Sequence, residues 1–164
     1  AIMSCDIYEH KLQLMQSNVE RLGVSIISMK LQDGRTLPDS WINQFDRVLV
    51  DAPCSGLGIL QKKLDMRWRK SRELLFELPT LQLEILECAS KMVKVGGYLV
   101  YSTCTLNHGE NEDVLEKFLE HHKDFVIEPV ELKGLPSSKD GMITTYPPRD
   151  DMDGFFMARM KRLS

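Results

Sequence analysis

Short apolar runs alternate along the chain with longer amphipathic stretches. The apolar runs predict four strands, at residues 1–5, 25–29, 47–50 and 98–101. The amphipathic stretches predict three helices, at residues 7–22, 74–93 and 110–121, because their apolar positions recur at the spacing of one helical face. An alternation of this kind is typical of β-α units around a largely parallel sheet. The sequence therefore predicts an α/β fold.

Glycine and proline refine these predictions. Gly23 is expected to end the first helix, and Pro79 predicts a break, or a turn that precedes the helix, within residues 74–93. Near the end of the chain, residues 125–128 and 155–159 predict a closing pair of strands. The stretch between them from 134 to 148 contains Gly, Pro and Ser and predicts a surface loop.

Composition limits the class of protein. With 164 residues, 43% of them hydrophobic, the chain has the size and apolar content of one domain. Its net charge of -3 exerts no overall attraction on nucleic acid, so RNA binding would need a local basic patch. The four cysteines lack the paired spacing of a zinc site, and no run of about 18 apolar residues or secretory leader is present. We expect a soluble cytoplasmic protein with reduced thiols, no metal and no membrane partner.

Polar residues follow each predicted strand, where an open α/β sheet binds its ligands. These residues are Asp6 after the first strand, residues 33–35 after the second, 51–56 after the third and 102–104 after the fourth. A carboxylate in the position of Asp6 can accept two hydrogen bonds from a ribose diol. The same residue can instead cap the following helix, and the sequence leaves both interpretations open.

Two of the cysteines, Cys54 and Cys104, follow strands that can be neighbours in the sheet, so their thiols are predicted to face one pocket. Pro53 and Gly56 shape a tight loop around Cys54. Cys104 precedes a helix whose N-terminal dipole favours a thiolate. The alternative is a pair of small buried hydrophobic side chains.

The segments Asp51-Ala-Pro-Cys-Ser-Gly-Leu-Gly58 and Gly96-Gly-Tyr-Leu-Val-Tyr-Ser-Thr-Cys104 resemble the two motifs of RNA 5-methylcytosine methyltransferases, in the same order and at similar spacing. The similarity extends from Asp6 to Arg159 and is greatest to the bacterial 16S ribosomal RNA enzymes of the Sun or Fmu type. It implies a Rossmann-like class I methyltransferase sheet, S-adenosyl-L-methionine as cofactor, and methyl transfer to C5 of cytosine in RNA, with 16S rRNA as the expected partner.

The resemblance also implies residue roles. Cys104 would add to cytosine C6, Cys54 would help to release the product, and Asp51 would contact the cytosine and support its protonation at N3. Such a nucleophile is needed because C5 attacks a methyl group poorly until a thiolate has added to the ring. Cofactor binding would fall on four residues, Asp6, Asp33, Asp51 and Pro53.

A basic segment at residues 61–70 carries five cations and one aromatic side chain, and the family has a basic segment at this point. It predicts RNA contacts through Lys62, Lys63, Arg67 and Trp68. The alternative is a solvated loop with Trp68 in the core. Residues 110–112 match a family segment expected to cap the helix after the nucleophile.

Members of the resembled family carry a further strand followed by a glycine-rich cofactor loop, and an RNA-binding domain upstream of both. None of these three parts is recognisable in this sequence. Residues 1–164 are therefore expected to form a partial catalytic domain, truncated before its first, central strand, which would lie between the strands ending at Cys5 and Val50. The competing hypothesis is a catalytically inactive methyltransferase-like fragment that acts as an RNA- or protein-binding module.

Overall fold

The computed structural model describes residues 1–62, 74–132, 134–135 and 140–164. Strands and helices alternate as predicted over much of the chain, and short 3-10 turns occupy Asp39–Trp41, Leu57–Ile59 and His108–Glu110. The regular elements are β1 (Ile2–Asp6), α1 (Glu9–Leu22), β2 (Ile27–Leu31), β3 (Phe45–Asp51), α2 (Leu74–Ser90), β4 (Val93–Thr103), α3 (Glu112–His121), β5 (Phe125–Ile127), β6 (Met142–Thr144), α4 (Pro147–Asp150) and β7 (Phe156–Arg162).

These strands form two sheets. β1 and β2 pair in parallel, and a five-stranded mixed sheet has the order β3-β4-β7-β5, with β6 also paired to β7. β3 and β4 are parallel, whereas β7 is antiparallel to both β4 and β5. The predicted closing pair of strands is thus confirmed as β5 and β7. A further strand between β1 and β3 stays a prediction from the family resemblance.

The core lies where α2 and α3 pack with the larger sheet. α3 buries Val114, Leu115 and Phe118 on one face, as its sequence period predicts. The Phe118 ring stacks on His122 and meets the edge of Phe125. By contrast, α1 buries none of its residues. The larger sheet with its two helices therefore contributes most of the apolar burial that stabilises the described structure.

β4 is longer than its sequence predicts. The strand begins at Val93, five residues before the predicted start, and its pairing with β3 shifts between Phe45 and Arg47. Gly96 adopts a positive φ of 79°, and a Cβ on Gly97 would lie 2.8 Å from the carbonyl oxygen of Asp46. The two glycines thus permit a bulge and a close approach of the strands, although a glycine pair in a sequence usually indicates a turn.

Two further predictions were wrong. α2 runs without a break through Pro79 and ends at Ser90, so residue 93 belongs to the next strand. The stretch from 134 to 148, predicted as a surface loop, contains β6 and the start of α4, and Ile143 is buried. A three-residue strand is too short to produce a recognisable period in the sequence. In the parts of the chain that the structure describes, no helix is long and apolar enough to cross a membrane.

Truncation of Phe118 tests the position of the core. Phe118→Ala is expected to lower the free energy of unfolding by about 3–5 kcal/mol, because it removes a fully buried ring and leaves a cavity. Phe76→Ala is the matched control, since that ring is 79% exposed and its loss should change stability by less than about 0.5 kcal/mol. Urea denaturation measures both values. Equal losses for the two variants would contradict this description of the core.

Candidate active site

Two thiols meet where β3 and β4 end. Asp51 pairs with Ser102 in the parallel ladder, and the chain then continues for three residues to Cys54 and for two to Cys104. The two Sγ atoms lie 3.1 Å apart, and the Cys104 backbone N–H donates to Cys54 Sγ at 3.3 Å. Both residues are half-buried. The structure therefore brings together the two cysteines that the sequence predicts to share a pocket.

The environment of Cys54 favours the protonated form of its thiol. The hydrogen bond to Cys104 raises the pKa of the Cys54 thiol, and burial raises it further. Near neutral pH the Cys54 thiol is therefore protonated, and either sulfur can be the donor in the contact between them. A cysteine reacts as a nucleophile in its thiolate form.

Backbone contacts fix the loops that carry the two cysteines. The Gly58 N–H donates to the carbonyl oxygen of Cys104 at 3.0 Å, and the Gly154 N–H donates to the carbonyl oxygen of Gly58 at 2.9 Å. A Cβ on Gly58 would collide with the backbone carbonyl of Gly154. Gly56 adopts a positive φ of 66°, which only glycine adopts without strain. The motif glycines therefore permit a close crossing of three chain segments beside the thiols.

A buried carboxylate lies behind this crossing. Glu110 is completely buried, and its Oε2 accepts hydrogen bonds from the Ser55 backbone N–H at 2.7 Å and from Gln82 Nε2 at 3.1 Å. Its Oε1 accepts from Asn107 Nδ2 at 3.0 Å. The Tyr101 hydroxyl donates to the Glu110 backbone oxygen at 2.7 Å, and burial, with the negative charge of Glu110 second, raises the pKa of that hydroxyl. Glu110 thus joins α2 to the loops after β3 and β4.

A second polar layer surrounds Cys104. The Thr103 hydroxyl donates to Asn111 Oδ1 at 2.6 Å, and Asn111 Nδ2 donates to the Thr105 carbonyl oxygen at 3.0 Å. Ser55 and Thr105 share a hydrogen bond of 2.7 Å between their hydroxyls. Asn111 occupies the N-cap position of α3, as predicted for residues 110–112, but its side chain makes no cap bond to the helix. Its amide instead holds the segment that contains Cys104.

Three carboxylates occupy the strand ends where cofactor contacts were predicted. Asp6 Oδ1 accepts a hydrogen bond from the Tyr8 N–H at 2.9 Å. Tyr8, rather than Asp6, occupies the N-cap position of α1. Asp33 forms a close ion pair with Arg35, at 2.6 Å, and hydrogen bonds from Arg35 lower the pKa of Asp33 to about 2. The Asp33 carboxylate is therefore already engaged by a neighbouring cation.

Asp51 and Pro53 lie closer to the thiols. Asp51 is exposed and accepts one hydrogen bond from the Ser102 hydroxyl at 3.2 Å. The Pro53 carbonyl oxygen accepts from Gln82 Nε2 at 2.8 Å. That carbonyl is therefore engaged by α2, whereas Asp51 retains oxygens that can accept further hydrogen bonds beside the two sulfurs.

One residue of the predicted RNA contact lies within the described chain. Lys62 is 72% exposed and pairs with Asp153 at 2.6 Å. Lys63, Arg67 and Trp68 lie outside the described residues. Within the described ranges, no group of three or more His, Cys, Asp and Glu side chains could hold a metal ion.

The chain is similar to known proteins over almost its whole length. The family described as 16S rRNA methyltransferase RsmB/F matches residues 1–161. The chain belongs to this RsmB/F family. It is 38% identical over 168 residues to a probable ribosomal RNA small subunit methyltransferase B of Bacillus subtilis, covering 99% of this chain and 38% of the relative. It is 35% identical to a ribosomal RNA small subunit methyltransferase F of Aliivibrio fischeri, covering 100% of this chain and 36% of the relative.

A solved structure places this RsmB/F chain in the Rossmann-like methyltransferase fold. NSun6 from Pyrococcus horikoshii with SFG superposes with a TM-score of 0.86 at 29% identity, over 99% of this chain and 41% of that one. A second solved structure, a methyltransferase homologue of Pyrococcus horikoshii, superposes with a TM-score of 0.83 at 28% identity, over 99% of this chain and 53% of the other. The predicted fold class is thus confirmed. The chain spans a little over a third of the length of the RsmB/F relatives.

The glycine crossing can be tested by adding one methyl group. Gly58→Ala is expected to lower the free energy of unfolding by about 1–3 kcal/mol, because the new Cβ overlaps the Gly154 carbonyl. Gly109→Ala is the matched control, since its Cβ would meet nothing closer than 3.5 Å at an ordinary φ. Chemical denaturation compares the two. A Gly58→Ala protein as stable as the control would show that the crossing is not tightly packed.

The coupling of the two thiols predicts a pH effect. Cys104→Ala should lower the pKa of the Cys54 thiol, because it removes the hydrogen bond that contributes most to raising it. Cys104→Ser keeps an acceptor at this position and should preserve more of the shift. Alkylation with iodoacetamide across a pH series, followed by peptide mass spectrometry, gives the midpoint for Cys54 alone. A midpoint that stays unchanged or rises in Cys104→Ala would contradict the assigned coupling.

Proposed function

We propose that the full-length gene product is a cytoplasmic enzyme that transfers a methyl group to C5 of cytosine in 16S rRNA, with S-adenosyl-L-methionine as the donor. The observation that carries this proposal is the 3.1 Å separation of the Cys54 and Cys104 sulfurs at the end of two parallel strands. Membership of the RsmB/F family supports RNA as the substrate and S-adenosyl-L-methionine as the donor. The choice of C5 depends on the cysteine pair, because carbon methylation of cytosine needs a nucleophile at C6.

The carboxylates at the strand ends fit a cofactor that carries a ribose and a charged amino acid. Asp6 is half-buried at the end of β1, where its Oδ1 accepts one hydrogen bond and its Oδ2 lies 3.5 Å from Lys11 Nζ, so both oxygens retain lone pairs that can accept from a ribose diol. Asp51 retains acceptor capacity near the thiols. Asp33 would bind the cofactor only after Arg35 moves from its carboxylate. When bound, the cofactor supplies an electrophilic methyl group, and these residues orient it toward cytosine C5.

Cys104 would begin the reaction. Its thiolate forms a bond to cytosine C6, and the electron pair of the C5–C6 double bond moves into the ring, where protonation at N3 supported by Asp51 stabilises it. C5 would thereby become nucleophilic and bond to the methyl carbon, while the bond from that carbon to the sulfonium sulfur breaks and a neutral thioether leaves. The hydrogen bonds that hold both cysteine loops would keep the thiolate in position for this attack, because a small displacement of a reacting group lowers the rate strongly.

Cys54 would complete the reaction. Once Cys104 is bonded to C6, it no longer provides the hydrogen bond that raises the pKa of Cys54 most. Cys54 then loses its proton to water more readily and takes the C5 proton, directly or through a water molecule. The C5–C6 double bond forms again, the C6–S bond breaks, the electron pair returns to the Cys104 sulfur, and N3 releases the proton that it gained in the first step.

Single cysteine replacements in the full-length gene product test this function. Cys104→Ala is expected to abolish methylation. Cys54→Ala should lower multiple-turnover methylation by at least about a hundredfold and accumulate a covalent RNA adduct, because release loses its base. Radiolabelled methyl transfer and denaturing gels measure the two effects.

Cys5→Ala serves as the control, since it removes an exposed thiol far from the pair in the sequence. Methylation that survives in Cys104→Ala would overturn the cytosine C5 assignment. Binding of 16S rRNA without methyl transfer by the unmodified protein would favour the alternative of a binding module.

A further inference from the structure

We propose that Glu110 is a positioning residue, which fixes the loop of Cys54 against the loop of Cys104 and thereby sets the sulfur geometry required for product release. This inference rests on the proposed function for its catalytic consequence. The geometric part depends only on contacts among the described residues. The Glu110 carboxylate accepts hydrogen bonds from Ser55, Gln82 and Asn107, which belong to the loops of the two cysteines and to α2.

Three hydrogen-bond donors converge on the Glu110 carboxylate. The Ser55 N–H directly follows Cys54, Asn107 lies in the loop that follows Cys104, and Gln82 belongs to α2. Three N–H donors from three separate segments therefore point at one side chain. A fully buried carboxylate with such partners holds them more firmly than a neutral acceptor, since hydrogen bonds to an ionised group are shorter and stronger.

The side-chain amides of Gln82 and Asn107 make other hydrogen bonds as well, so neither can rotate to compensate for a change at Glu110. Gln82 Nε2 also donates to the Pro53 carbonyl oxygen, so turning this amide would place two oxygens face to face. Asn107 Oδ1 accepts from the Gly109 N–H, and a turned amide would lose that bond. A glutamine at position 110 would therefore present an N–H group to at least one donor, and the Cys54 loop would lose part of its anchorage.

If Glu110 is a positioning residue, its replacement affects release of the methylated RNA from Cys104, which a general loss of stability would not do selectively. If the Cys54 loop shifts, Cys104 can still attack cytosine, but the base for the C5 proton is misplaced. Glu110→Gln should then resemble Cys54→Ala in part: kcat falls by about tenfold to a hundredfold, the KM for RNA changes little, and the covalent adduct accumulates. A loss of folded protein alone would lower activity without accumulating adduct.

The experiment compares Glu110→Gln with Glu112→Gln in the full-length gene product. Glu112 is the matched control, because it is a half-buried glutamate of the first turn of α3 whose ion-pair partner at 4.0 Å, His108, has a mostly exposed side chain. Gln82→Met is a second variant, since it removes both donated bonds while retaining an unbranched side chain of similar length. It should produce the same adduct at a lower level.

Two readouts separate the outcomes. The pH midpoint for alkylation of Cys54 needs no RNA, and it should move to lower pH in Glu110→Gln and stay unchanged in Glu112→Gln, because a loosened loop weakens the bond to Cys104. An unchanged midpoint in both Glu110→Gln and Gln82→Met overturns the positioning role. The same conclusion follows if Cys54→Ala accumulates adduct and Glu110→Gln does not. If Cys54→Ala accumulates none, the proposed function fails, and the alkylation midpoint still decides the role of Glu110.

Discussion

The parallel ladder between β3 and β4 is the constraint on which the candidate site depends. It places Asp51 opposite Ser102, and the two chain segments leave the sheet side by side. Each segment reaches its cysteine within three residues, so little conformational freedom remains between the ladder and the thiols. Hydrogen bonds along a sheet are regular and cooperative, which makes this a stable base for a pair of reactive side chains.

The interior beside the site is polar, and burying a polar group lowers the stability of the fold unless that group has a hydrogen-bond partner. Most of the buried hydroxyls, amides and the Glu110 carboxylate bond to one another, among them Ser55 and Thr105, whereas the buried Oε1 of Gln82 has no hydrogen-bond partner among the described residues. An apolar interior would fill the same volume without holding two loops in one geometry. Directional bonds specify position, whereas hydrophobic contacts tolerate small shifts.

Much of this arrangement could be predicted from the sequence. Short apolar runs locate the parallel strands, and the polar residues after them locate the cysteines at one edge of the sheet. The role of Glu110 could not be predicted, because a glutamate after an Asn-His-Gly turn is indistinguishable from a surface residue until its neighbours are known. The bulge at Gly96 and Gly97 was missed for a related reason: the same dipeptide suits a turn and a bent strand, and only the pairing with β3 decides between them.

The crossing of Gly58 and Gly154 joins parts of the chain that are far apart in sequence. The conformation of the loop around Cys54 therefore depends on residues that come much later in the chain, just before β7. A substitution at Gly154 would disturb that loop, because any Cβ there would approach the Cα of Gly58 to 2.8 Å.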